Sequence, residues 1–133
     1  MTWLLDTNAC IELLNEQDSP IARKLARVAP QEIVICSVVK AELYHGAQKS
    51  SKREANLNLL AKFFQQFASL PFDDSASEQY GQLRAVLEKQ GMLIGPNDLL
   101  IASVALANGL TLVTHNVEEF KRLPALRMED WQI

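Results

Sequence analysis

The stretch Trp3-Leu4-Leu5-Asp6-Thr7-Asn8 decides how this chain is read. A short apolar run with no polar alternation fits a strand buried on both faces, as in a parallel sheet. It ends on an acid followed by two residues that can cap a helix, and Ile11, Leu13 and Leu14 then supply an apolar helical face. The unit is a strand, a carboxylate and a helix, in that order. The pattern recurs: Ile33–Cys36, Ser69–Phe72 and Thr111–Thr114 read as further strands, and Leu126–Trp131 as an edge strand. Between them lie helical segments. One runs over Ile21–Val28, started by Pro20. One is capped by Ser37 and carries Glu42. One bears the stripe Leu57, Leu60, Phe63, Phe64 and Phe67. The last two run over Ala76–Gln90 and Pro96–Asn108, with Gly109 just beyond. Strands alternating with helices give an α/β layer with a mainly parallel sheet, whose ligands sit at the carboxyl ends of the strands.

Carboxylates recur where the pattern asks for core residues. Asp6 ends the first strand, Glu42 sits within Val38-Val39-Lys40-Ala41-Glu42-Leu43-Tyr44, and Asp98 introduces Leu99-Leu100-Ile101-Ala102. Glu119 is a fourth candidate, although with Glu118 it also resembles a solvated helix start. A carboxylate in a dry setting costs several kcal/mol unless it is neutralised, hydrogen-bonded or bound to a cation. Acids drawn from distant segments of one short chain therefore suggest a shared cation and phosphate chemistry. Each also has a plainer use: Asp6 as a helix cap, Glu42 as partner of Lys40 or Lys49, and Asp98 as a favourable charge at a helix N-terminus.

The bulk numbers set bounds. At 133 residues the chain reads as one domain over 1–133, with 48% hydrophobic and 22% charged residues. Its net charge of −3 argues at first against a nucleic-acid partner, but setting the four acids aside as metal-bound leaves +1. Cys10 and Cys36 lack metal-ligand spacing and read as reduced core thiols. His45 and His115 are isolated, which disfavours zinc. There is no signal-peptide pattern, and the longest apolar run, Leu99–Ala107, is too short to span a bilayer, so a cytoplasmic protein is expected. Lys52-Arg53 and Lys121-Arg122 are solvated faces unless the fold brings them beside the acids.

Together these segments resemble the PIN-domain family, most closely its VapC-like toxin ribonucleases. The likeness rests on Leu4-Leu5-Asp6-Thr7-Asn8, Ala41-Glu42-Leu43-Tyr44-His45-Gly46-Ala47, Gly95-Pro96-Asn97-Asp98-Leu99-Leu100-Ile101-Ala102 and Leu112-Val113-Thr114-His115-Asn116-Val117-Glu118-Glu119-Phe120. The resemblance implies a three-layer α/β/α fold and Mg²⁺- or Mn²⁺-dependent endoribonuclease activity, on tRNA or another RNA of translation. It also implies a cognate VapB-like antitoxin, which sets a basic side chain among the acids, and a homodimer. Its first three acids fall on Asp6, Glu42 and Asp98. Many relatives carry aspartate where this chain has Asn116, so Glu119 is taken as the fourth acid and Asn116 as a supporting ligand. Thr7, Asn8 and Thr114 are candidates for orienting the acids. The phenylalanine stripe serves either a dimer interface or the core. Two rival functions stay open: a phosphatase using Asp6 as nucleophile, although Asn8 stands where a second acid is usual, and a non-catalytic module whose acidic pocket docks a basic partner.

Overall fold

The computed structural model describes residues 1–133. Its strands are β1 (Trp3–Leu5), β2 (Ile33–Cys36), β3 (Ala68–Leu70), β4 (Thr111–Val113) and β5 (Met128–Glu129). Its helices are α1 (Thr7–Asn15), α2 (Pro20–Leu25), α3 (Ser37–Gln48), α4 (Arg53–Phe64), α5 (Asp74–Gln90), α6 (Pro96–Ala107) and α7 (Val117–Phe120). The five strands form one sheet in the order β3-β2-β1-β4-β5, and every pairing is parallel. This is the α/β arrangement expected from the strand-helix alternation, with helices flanking a central sheet.

The apolar runs form strands because the sheet is covered: all four residues of β2 are buried, as are Leu4 and Leu5 of β1 and Leu112 and Val113 of β4. They belong to one contiguous core of 30 apolar residues, so the strand ends carrying the acids are braced by the main body of packing. The α6 helix is buried nearly all round, from Leu99 through Ala105. Its one polar residue there, Ser103, donates to the Leu99 carbonyl at 2.7 Å. Gly109 then takes a left-handed conformation at φ 64°, turning the chain from α6 into β4. No helix is long and apolar enough to cross a membrane.

Several local expectations are corrected. The cap of α1 is Asp6, not Thr7 or Asn8. Ser37 is the first residue of α3, whose cap position is Cys36 without a side-chain bond. The second helix stops at Leu25, and Ser19, fully buried, caps it. The third strand is Ala68–Leu70. The phenylalanine stripe is core: Leu60, Phe63 and Phe64 are buried, and Leu57 and Phe67 pack against the same cluster. Both cysteines are free and buried.

Candidate active site

Strand order places a crevice at one point of the sheet. From β1 the chain winds outward through β2 to β3, and later returns to the other side of β1 as β4 and then β5. The strand order reverses between β1 and β4, so their carboxyl ends form the switch point where α/β proteins bind ligands. Asp6 stands at the end of β1, and Thr114, His115 and Asn116 follow β4.

Asp6 is 3% exposed. Its N–H donates to the Val113 carbonyl at 3.1 Å, continuing the ladder between β1 and β4, and its Oδ1 accepts from the Ala9 N–H at 2.8 Å. Burial raises its pKa, the bonds from Thr114 and Ala9 act against that, and Glu42 and Asp130 raise it further. The plain role and the functional one thus coincide: Asp6 caps α1 and lies among other acids.

Glu42 is half-buried on α3, where α3 packs against α1, and its Oε1 accepts from Thr7 Oγ1 at 2.5 Å. Neither lysine considered as its partner pairs with it; Lys40 lies over the Phe64 ring at 5.0 Å instead.

Asp98, in the first turn of α6, faces Glu119 of α7: a Cβ at Gly95 would lie 3.5 Å from Asp98 Oδ2 and 3.6 Å from Glu119 Oε1. Burial, the adjoining Glu119 carboxyl and the charges of Asp6 and Glu42 raise its pKa to about 7. Glu119 is held from several sides. Gly95 N–H donates to its Oε1 at 3.0 Å and Asn116 Nδ2 to its Oε2 at 2.9 Å. Burial pushes the Glu119 carboxyl up, but the bonds from Asp98, Asn116 and Gly95, with the nearby Arg122 charge, outweigh it and leave the group below its usual range. Asn116 thus enters as the residue that orients Glu119. Arg122 also donates to the Leu93 carbonyl at 3.0 Å, and Lys121 pairs with Glu118 at 2.6 Å. The Lys121-Arg122 pair does flank the acids, lining with Asn116 and Glu119 a cavity of about 640 Å³.

Asp130 is an acid that the sequence reading does not single out. It follows β5 as Asp6 follows β1, at the same sheet edge, and that position is its one sequence signal. Its side chain is 13% exposed and pairs with His115 Nδ1 at 2.9 Å. The two-residue strand before it is anchored by Trp131, which packs edge-on against Trp3 with ring centroids 5.4 Å apart. Both indole N–H groups donate to Glu129.

A family model for the PIN domain matches residues 3–126. The chain belongs to the PIN-domain family. Among curated relatives it is 42% identical over 132 residues to Ribonuclease VapC2 of Rickettsia felis, and 37% identical over 131 residues to the tRNA(fMet)-specific endonuclease VapC of Salmonella typhimurium. Each alignment covers 98% of both chains. Among solved structures it matches the crystal structure of VapBC2 from Rickettsia felis bound to a promoter DNA fragment. The TM-score is 0.92 at 41% identity, covering 98% of this chain and 99% of that one. The four acids of this PIN domain all lie inside the matched span, whereas Asp130 lies beyond it.

The PIN-domain acids offer carboxylate oxygens, with an amide oxygen at Asn116, which is the donor set of a hard divalent cation. Burial first, and then the surrounding acids, raise the pKa of Asp98, a cost that a bound cation would offset. No three of these acids stand close enough here to share one ion directly. Mg²⁺ keeps several waters in its shell, so a water-bridged set of ligands fits this spacing.

Proposed function

We propose that this PIN-domain chain is a metal-dependent endoribonuclease of the VapC kind, the toxin half of a toxin–antitoxin pair, acting on tRNA or another RNA of translation in the cytoplasm. The observation that carries the proposal is the surroundings of Asp98. Three further acids from β1, α3 and α7 act on one half-buried carboxyl at the switch point of the sheet. Family membership and the VapC relatives support the same reading.

Asp6, Glu42, Asp98 and Glu119 would hold Mg²⁺ or Mn²⁺, with Asn116 as a further oxygen donor. When bound, such an ion supplies positive charge against the phosphodiester and lowers the pKa of water beside it. The chain does the positioning. Thr7 fixes one oxygen of Glu42, Ala9 N–H holds Oδ1 of Asp6, and Gly95 and Asn116 each hold one oxygen of Glu119, so these carboxylates are oriented before substrate arrives. Because water attacks, the RNA 2′-hydroxyl is not the nucleophile. The fragments then carry 5′-phosphate and 3′-hydroxyl ends.

Partners follow from the same reading: an RNA substrate, a VapB-like antitoxin and a second copy of the chain. The similarity to a chain of the Rickettsia felis VapBC2 structure supports the antitoxin. The test is to incubate antitoxin-free protein with total cellular RNA, with and without Mg²⁺, and to map the ends. Mg²⁺-dependent 5′-phosphate ends, absent with Asp98→Asn, are expected. Cleavage that persists in a chelator, or 2′,3′-cyclic phosphate ends, would overturn the proposal.

A further inference from the structure

Cleaving RNA at a bed of acids raises a difficulty. Asp6, Glu42, Asp98, Glu119 and Asp130 repel the phosphates on either side of the bond to be cut, so the strand needs cations beside the acids to hold it. On the Glu119 side, Lys121 is already paired with Glu118, and Arg122 donates to the Leu93 carbonyl. The recess between α2 and the end of β5 differs. There a polar cavity of about 270 Å³ is lined by Pro20, Arg23, Lys24, Arg27, Asp130, Trp131 and Ile133. Of its three cations only Arg23 is ion-paired, to Asp18 at 2.8 Å. Lys24 lies over the Trp131 ring at 6.0 Å, and Arg27 projects, exposed, from the turn after α2.

This cavity adjoins the acids through a shared wall. Asp130 lines it and pairs at 2.9 Å with His115, two residues after Val113, whose carbonyl accepts from the Asp6 N–H. We infer that the pocket between α2 and the end of β5 is a phosphate-binding subsite for the RNA strand flanking the cleavage site, with Lys24 and Arg27 as its contacts. The inference rests on the RNA-cleaving function proposed above. Three cations dominate this recess, its aromatic ring is nearly buried and Ile133 is its one large exposed apolar side chain, so the fitting ligand is a polyanion's backbone, not an apolar peptide.

The experiment measures binding apart from cleavage. In the full chain carrying Asp98→Asn, the affinity for bulk tRNA is measured by fluorescence anisotropy across a salt series. Adding Lys24→Gln with Arg27→Gln is expected to weaken binding about tenfold at low salt and to make the salt slope shallower by about one to two. Lys52→Gln with Arg53→Gln removes equal charge from the start of α4 and is expected to leave both unchanged. Arg27→Gln alone, which disturbs no ring contact, should give part of the effect if the double variant melts early. With Asp98 restored, the pocket variant should raise KM and keep kcat. Unchanged affinity and slope, an equal loss in the Lys52/Arg53 variant, or no tRNA binding by the parent would each overturn the subsite. If the pocket variant weakens binding but the parent with Asp98 leaves RNA intact, the subsite stands and the proposed activity fails.

Discussion

The carboxyl groups of Asp98, in the first turn of α6, and Glu119, on α7, meet beside Gly95, close enough to share a proton. Asp98 keeps the proton up to about pH 7, against an ordinary aspartate value of 3.8, while Glu119 gives its own up early. Between those pH values the folded metal-free protein binds a proton that the unfolded chain has lost, so stability falls as pH rises from about 4 to about 7. The depressed Glu119 works the other way, adding stability above the ordinary glutamate range that is lost as pH falls. An asparagine in place of Asp98 would keep a donor toward Glu119 without ever ionising. Asp98→Asn should therefore stabilise the metal-free protein at pH 8 by about 1–2 kcal/mol, after allowing for solvent screening at a half-exposed group. The gain should shrink as pH is lowered toward 4. Thermal melts of both proteins in chelator across that range check it; a gain that does not change with pH would remove the shared proton.

Asp6 separates structure from chemistry because it serves both. Asparagine caps helices about as well as aspartate, so Asp6→Asn should keep the bond to Ala9 N–H and leave the melting temperature near wild type. Asp6→Ala loses the cap and should cost about 1 kcal/mol. Both should abolish RNA cleavage. If Asp6→Asn cleaves at the wild-type rate, Asp6 is a cap and nothing more.

The bond from Thr7 to Glu42 predicts a third outcome. Valine matches threonine in shape and cannot donate, so Thr7→Val releases Glu42 Oε1 while filling the same space. A group that orients a metal-binding carboxylate affects metal affinity by about 10- to 100-fold. The Mg²⁺ concentration for half-maximal cleavage should rise within that range, with the rate at saturating Mg²⁺ largely restored. A fall in rate that extra Mg²⁺ does not recover would place Thr7 in some other role.

How much of this is legible in the sequence depends on what each residue's neighbours are. Leu4-Leu5-Asp6 can be read because strand, acid and helix are consecutive, and Glu42 because it shares its helical face with Val38 and Val39. Asp98 is nearly ambiguous: a first-turn aspartate suits any helix, and what distinguishes it is Glu119, carried by another element. Asp130 escapes notice because β5 is two residues long and exists only through pairing with β4, as when Thr114 N–H donates to the Glu129 carbonyl at 3.0 Å. The cap of α1 falls among three adjacent capable residues, which only the exact end of β1 distinguishes. The phenylalanine stripe cannot be sorted between core and interface by spacing, since both demand the same one.

Gly95 tests whether open space over the acid pair matters. A Cβ built there would lie 3.5 Å from Asp98 Oδ2 and 3.6 Å from Glu119 Oε1, which is ordinary contact, and its φ of −54° suits alanine. Gly95→Ala should thus fold normally and keep its N–H bond to Glu119, while its methyl group covers both oxygens. The expected result is a loss of cleavage on the order of tenfold, by analogy with other groups that border a metal's ligands, and a melting temperature close to wild type. Gly81→Ala is the matched comparison: it lies mid-α5 with nothing within 4 Å of its added carbon, and should gain about 0.5–1 kcal/mol with activity unchanged. Equal activity in the two variants would mean that the space above Asp98 and Glu119 plays no part in the reaction, and that neither water nor a cation has to reach those oxygens from the Gly95 side.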